Sequence, residues 1–75
     1  MAQIKIESEV TGNVWKIEKQ VGDKVEAEDV IMILESMKME IPIEAPCAGT
    51  LTELLVQEEQ AVDEDQVVAV IDTGS

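Results

Sequence analysis

Short runs of β-branched and other apolar residues, separated by polar turn-type segments, make up most of the chain. The clearest runs are VIMILE at 30–35 and VVAVID at 67–72, with IKIE at 4–7 and MEIPIE at 39–44. Runs of this length and composition predict strands, and no segment keeps the 3.6-residue period of a helix. The pattern therefore predicts an all-β fold.

Two segments of the chain repeat each other. Residues 12–35 align with residues 49–72 without a gap, at an offset of 37 residues. Four of the 24 aligned positions are identical: Gly12 with Gly49, Gln20 with Gln57, Val25 with Val62, and Val30 with Val67. Each half begins at a glycine, passes through a polar turn and ends in an apolar run. We interpret this as an internal duplication.

The duplication suggests how the strands close. Short strands with short connections limit their exposed edges best in a flattened barrel or sandwich of two antiparallel sheets. We expect a pseudo-twofold axis to relate the repeat halves, as in a barrel-sandwich hybrid. At 75 residues, the chain is predicted to be a single domain spanning 1–75.

The stretch ESMKME places Lys38 in a predicted hairpin at about 35–41. Two-residue hairpin turns need positive φ and favour Asn-Gly or Asp-Gly, and Met37-Lys38 provides neither. Departures of this kind occur at functional or strained sites. The equivalent position in the second half leads to the C-terminus, so the hairpin should lie far from the chain ends. Alternatively, Met37 and Met39 fill gaps in the core and Lys38 is simply solvated.

Composition excludes several classes of function. There are 17 acidic residues against five lysines, a formal charge of −12, which disfavours nucleic acid. The longest apolar runs have five residues, too short to span a membrane, so we expect a soluble, cytoplasmic protein. The chain has no histidine, and Cys47 is its only cysteine. We therefore expect Cys47 to be structural rather than a nucleophile, and we identify no metal site.

Several motifs together resemble a known family. ESMKME at 35–40 is flanked by the repeated halves, with the VGDKV turn at 21–25 upstream of it and APCAG at 45–49 downstream. They resemble the biotinyl domain of biotin-dependent carboxylases, in which Met-Lys-Met marks the lysine that receives biotin. The resemblance runs from about Gly12 to Asp72, and is greatest to the small free-standing biotin/lipoyl attachment proteins.

The resemblance implies a carrier rather than an enzyme. A biotin protein ligase would join biotin to Lys38 through an amide, with Met37 and Met39 as flanking recognition residues. The attached group would accept a carboxyl group at a biotin carboxylase site and deliver this carboxybiotin cargo at a carboxyltransferase site. Such a carrier needs no catalytic residues of its own.

One turn departs from the family pattern. The second half reads EEQAV at 58–62, with Glu59 where the family often has a glycine. We expect that turn to take a different shape from VGDKV.

Three other functions stay open. A lipoyl domain carries lipoate on a similarly placed lysine, although its flanking residues are typically Asp and Ala. An unmodified assembly domain would keep the fold and leave Lys38 free. A self-contained enzyme is the weakest candidate, because the sequence shows no convergent catalytic pairing.

Overall fold

A computed structural model describes residues 2–73, and these form eight strands arranged in two sheets. The strands are β1 (Gln3–Glu7), β2 (Gly12–Ile17), β3 (Lys24–Val25), β4 (Val30–Ser36), β5 (Met39–Glu44), β6 (Gly49–Leu54), β7 (Ala61–Val62) and β8 (Val67–Asp72). One antiparallel sheet has the order β1-β8-β6-β3, and the other has the order β5-β4-β2-β7. The predicted all-β fold of two antiparallel sheets is confirmed. The predicted domain limits, residues 1 and 75, lie outside the described residues.

The two sheets are related by the internal repeat. A shift of 37 residues converts β2, β3 and β4 into β6, β7 and β8, and it converts β1 into β5. It also converts one sheet order into the other. The hydrogen bonds between the halves repeat as well: Gly22 N donates to Leu51 O at 2.8 Å, and Glu59 N donates to Val14 O at 2.6 Å. The predicted pseudo-twofold relation is thus confirmed.

Aliphatic side chains from both sheets form one core between them. The outer strands β1 and β5 bury few residues, whereas the central strands β4 and β8 have consecutive buried residues. Repeat-related positions are buried together, so the core is itself symmetric. Its members include Ile6, Val14, Val25, Ile31, Met32, Leu34, Ile43, Leu51, Val62, Val68, Ala69 and Ile71. Within residues 2–73 there is no helix long and apolar enough to cross a membrane.

The turn with Glu59 keeps the shape of its counterpart. Gly22 has φ 99° and Glu59 has φ 70°, so both backbones are left-handed. In each turn the side chain of the following residue, Asp23 or Gln60, accepts a hydrogen bond from a backbone N–H, at 2.9 and 3.0 Å. The expectation of a different shape was wrong. The side-chain amide of Gln60 takes the place of the Asp23 carboxylate, so both halves have an equivalent hydrogen bond. This bond holds the backbone of Glu59 in a conformation that glycine adopts more readily.

The hairpin between β4 and β5 lies away from the chain ends. Gln3 of β1 pairs with Asp72 of β8, which brings the two ends of the described chain together in one sheet. From there β1 and the segment after it lead to Thr11, whose carbonyl accepts a hydrogen bond from Ser36 Oγ at 2.8 Å. β1, about 17 Å long for its five residues, therefore lies between the hairpin base and the ends of the described chain.

Two glycines allow close approach of strands at equivalent points of the repeat. A Cβ atom on Gly12 would lie 2.5 Å from the carbonyl oxygen of Glu35. A Cβ atom on Gly49 would lie 2.5 Å from Ile71 Cγ2 and 2.6 Å from the carbonyl oxygen of Asp72. All three distances are too short for a Cβ atom, so these two positions require glycine for steric reasons.

We expect Gly49→Ala to lower the free energy of unfolding by about 1–3 kcal/mol, because the added methyl group forces the strands apart. Urea denaturation would measure the change. Gly22→Ala is the matched control, since no atom lies within 4 Å of its added Cβ and only its φ of 99° opposes the substitution. It should cost about 1 kcal/mol. A Gly49→Ala protein as stable as the wild type would contradict the close packing.

Candidate functional site

The hairpin joining β4 to β5 has a two-residue turn formed by Met37 and Lys38. Ser36 pairs with Met39 across its base. Met37 has φ 52° and Lys38 has φ 67°. Two successive positive φ values are those of a type I′ turn, in which Asn-Gly is strongly preferred. The structure thus places two residues without that preference in the left-handed region.

All three side chains at the tip face solvent. Met37 is 92% exposed, Met39 is 64% exposed, and Lys38 is also exposed. The alternative in which the methionines fill the core is therefore wrong. Among the described residues, Lys38 forms no ion pair with a carboxylate.

The base of the hairpin is acidic. Glu35 of β4 lies directly opposite Glu40 of β5, and Asn13 of β2 lies opposite Glu35 on the other side. Like charges directly opposite each other in a sheet destabilise the pair. Lys38 is the only cation in the segment 35–41. The amine thus projects from a small negatively charged surface.

The hairpin base is also anchored to the rest of the molecule. Besides the close approach of Gly12, the hydroxyl of Ser36 donates to the carbonyl of Thr11. The hydroxyl of Thr11 in turn accepts a hydrogen bond from Glu64 N at 3.2 Å. These contacts fix the base, while the tip has only solvent around its side chains. A fixed base holds Lys38 at a defined point of the surface.

A pocket opens beside the hairpin, around the only tryptophan of the chain. Trp15 occupies an irregular position of β2, where the register with β4 shifts between Val14 and Lys16, and its side chain is 48% exposed. Bulges of this kind re-aim a side chain. The pocket has a volume of about 380 Å³. It is lined by Asn13, Val14, Trp15, Glu35 and Glu59. We call it the Trp15 pocket.

Glu59 reaches the Trp15 pocket from the second half of the chain. Its turn is held against β2 by the bond from Glu59 N to Val14 O and by a second bond, from Val14 N to Gln60 O at 2.8 Å. The backbone of Ile17 also donates to the side chain of Glu58 at 3.0 Å. Glu59 therefore joins the pocket lining from a turn that lies more than 40 positions beyond Trp15 in the sequence.

The other half of the repeat lacks this combination of residues. A shift of 37 residues, forward or back, replaces the five lining residues with Thr50, Leu51, Thr52, Asp72 and Gly22. The tryptophan, the amide and one of the two glutamates have no counterpart. The Trp15 pocket is thus a feature of the half that bears the hairpin, and not a general property of the fold. The sequence pattern did not single it out, although a lone, unpartnered aromatic residue was a signal.

Chemistry elsewhere in the chain is sparse. Cys47 is a free, half-buried thiol. Within residues 2–73, no group of three or more His, Cys, Asp or Glu side chains is placed to hold a metal ion. We therefore take the surface around Lys38 as the candidate site.

Comparison with known proteins identifies the family. Residues 2–71 match the Biotin_lipoyl family, described as "Biotin-requiring enzyme". The chain is 42% identical over 60 residues to the biotin/lipoyl attachment protein of Bacillus subtilis, covering 80% of this chain and 82% of that protein. The crystal structure of Kluyveromyces lactis urea carboxylase superposes with a TM-score of 0.91 and 36% identity, over 96% of this chain and 6% of that one.

Another relative is a component of an acyltransferase. The chain is 39% identical over 69 residues to a probable dihydrolipoyllysine-residue succinyltransferase component of Schizosaccharomyces pombe, covering 92% of this chain and 15% of that protein. Domains of carboxylases and of acyltransferases are thus both similar to this chain, which spans only a small part of these two large relatives. The role of Lys38, Met37 and Met39 stays a prediction. The resemblance to biotinyl domains is confirmed, and the chain belongs to the biotin/lipoyl attachment domain family.

Proposed function

We propose that this protein is a biotin carboxyl carrier with biotin attached to Lys38. A biotin protein ligase would attach biotin, and the domain would carry a carboxyl group from a biotin carboxylase to a carboxyltransferase. The attached group supplies the nitrogen that takes up and releases the carboxyl group. The observation that carries the proposal is the position of Lys38 at the exposed tip of a left-handed turn.

The backbone of the turn supports a functional reason for its sequence. An L-residue in the left-handed region is disfavoured by about 1 kcal/mol or more, and Asn-Gly would remove most of this cost. Met37 and Lys38 both carry it. Strain of this kind persists where the side chains are needed. The exposed methionines add adaptable apolar surface on either side of the lysine, suited to contact with several partners in turn.

Lys38 can take part in the attachment reaction as the nucleophile. The ligase would remove a proton from the Lys38 ammonium, and Nζ would attack the acyl carbon of biotinyl-adenylate, forming the amide and releasing AMP. Since Lys38 forms no ion pair among the described residues, the ligase has none to break. Amide formation removes the positive charge and leaves Glu35 and Glu40 without a neighbouring cation in the hairpin.

The choice of biotin over lipoate rests on the residues beside Lys38. The chain has methionine on both sides, which resembles biotinyl domains, whereas lipoyl domains typically have Asp and Ala. A lipoyl carrier is the second candidate function. The similarity to a succinyltransferase component, at 39% identity, favours keeping it in the experimental design.

The lining of the Trp15 pocket offers groups that can bind the attached ring. The indole offers an apolar face for the bicyclic body, Asn13 can both donate and accept, and Glu35 and Glu59 can accept from the ureido N–H groups. Glu35 precedes Lys38 by three residues, about 10 Å along a strand. The lysine and acyl chains together contain about ten single bonds of about 1.5 Å, enough to fold back over that distance.

Attachment itself is tested by intact mass and peptide mapping after incubation with ATP, biotin and a biotin protein ligase. We expect one biotinyl group on Lys38 and none on Lys38→Ala. Lys24→Ala, which removes another exposed lysine, should be modified like the wild type. A parallel reaction with lipoate and a lipoate ligase decides the alternative. If neither group is added to the folded protein, the unmodified assembly domain becomes the better explanation.

We also expect the Met37-Lys38 turn to lower the free energy of unfolding relative to an Asn-Gly turn. The double substitution Met37→Asn and Lys38→Gly should raise the free energy of unfolding by about 1 kcal/mol, since Asn-Gly prefers the type I′ turn. It should abolish attachment completely. Glu28→Gly relieves a similar φ of 74° in another turn, and should be attached normally. No gain in urea stability from Asn-Gly would show that the turn carries no strain.

Docking of the ring predicts a change in tryptophan fluorescence. Trp15 is the only aromatic residue of the chain, so the emission reports on this pocket alone. We expect biotinylation to shift the emission maximum to shorter wavelength, because the ring displaces water from the indole. Unmodified protein with equimolar free biotin should show no shift, since the tether provides the local concentration. An unchanged spectrum on complete biotinylation would place the ring elsewhere.

A further inference from the structure

We propose that the Trp15 pocket discriminates the charge of the attached group. It holds the uncharged ring and disfavours the ring that carries a carboxyl group, so that loading the carrier releases its arm. This inference rests on the proposed function and concerns the pocket rather than the attachment residue. Glu35 and Glu59 would repel the carboxylated ring, so that only the loaded arm is free to bind a partner protein.

The lining of the pocket is negatively charged. Two of its five residues are glutamates and none is a lysine. Among the described residues, neither Glu35 nor Glu59 forms an ion pair. Glu40 lies opposite Glu35 and adds a third carboxylate at the hairpin base. Lys38, the one nearby cation of the hairpin, becomes neutral when its amine forms an amide. The lining of the modified carrier's pocket thus contains two carboxylates and no cation.

Glu59 is retained there against the preference of the backbone. Its φ of 70° matches a glycine conformation, and the equivalent residue in the other half is Gly22, with φ 99°. Glu59 is one of the five residues that line the pocket, and a glycine at the same point would have no side chain to offer a ligand there. Glu28 and Asp65 have similar φ values, 74° and 68°, but of these three residues only Glu59 lines the Trp15 pocket.

Carboxylation changes the two properties that such a pocket recognises. Bicarbonate supplies the carboxyl group, ATP is converted to ADP and phosphate, and a ureido nitrogen exchanges its proton for the carboxyl group. The ring loses one N–H donor and gains one negative charge. Fewer hydrogen bonds can then be donated to Glu35 and Glu59, and both carboxylates repel the new charge.

The expected size of the effect follows from Coulomb's law in water. One pair of like charges in contact shifts an equilibrium about fivefold, and the shift falls with distance and with salt. With two lining carboxylates and one lost donor, we expect the ratio of docked to free arm to fall about tenfold on carboxylation. Raising the ionic strength should reduce this change.

NMR of the biotinylated, ¹⁵N-labelled carrier tests the proposal, because its single tryptophan gives a single indole N–H resonance. The spectrum is recorded for unmodified carrier, for biotinylated carrier, and for biotinylated carrier with unlabelled biotin carboxylase, MgATP and ¹³C-bicarbonate. The ¹³C label measures the carboxylated fraction independently. We expect biotinylation to shift the indole resonance and carboxylation to return it towards the unmodified position.

Two double variants separate charge from structure. In Glu35→Gln/Glu59→Gln, the neutral amides should still accept hydrogen bonds, so the ring should dock and carboxylation should leave the resonance shifted. In Glu26→Gln/Glu53→Gln, the same two charges are removed from exposed positions outside the pocket, and carboxylation should release the arm as in the wild type.

Each other outcome has a distinct meaning. Absence of biotin by mass, or absence of carboxylation by ¹³C, argues against the proposed function itself. A biotinylated, carboxylated carrier whose indole resonance never moves shows that the ring does not occupy the pocket, and the inference fails alone. An indole shift that survives carboxylation in the wild type, or that reverts equally in Glu35→Gln/Glu59→Gln, overturns discrimination by charge.

Discussion

Each half of this chain depends on the other for a strand of its sheet. β3 of the first half pairs with β6 of the second, and β7 of the second half pairs with β2 of the first. The turns beside these short strands donate backbone hydrogen bonds across the same boundary. Because neither half can complete its own sheet or cover its own apolar face, the halves fold as one unit. The hairpin, its anchored base and the Trp15 pocket all rest on this exchange.

The sequence predicted those parts of the structure that depend on local pattern. Periodicity and the ungapped repeat predicted the sheets and the location of Lys38, since both depend on local pattern. The left-handed turn at Met37 and Lys38 followed from its length and position. The shape of the turn at Glu59 did not, because the side-chain bond of Gln60 takes over from that of Asp23. Residue type at one position was a poor guide where a neighbour supplied the missing interaction.

The Trp15 pocket could not be predicted from the sequence for a different reason. It combines a register shift in β2, a cross-strand neighbour in β4 and a turn from the other half. No single stretch of sequence contains these parts. The repeat offered the one available clue, since Trp15 and Glu59 occupy positions where the other half has Thr52 and Gly22. Differences between halves of a duplicated domain can thus indicate function in the same way as differences between related proteins.

The pairing of the chain ends has a consequence for how such a molecule can be rearranged. Gln3 lies opposite Asp72 in one sheet, and Glu40 lies opposite Glu35 in the other, so the chain ends and the hairpin occupy equivalent places. A chain circularly permuted by joining its ends and opening the hairpin would keep every strand pair and exchange the roles of the two sheets. The fold therefore provides two equivalent places for a surface-exposed arm, and in this sequence only one of them is built as a closed turn with a lysine at its tip.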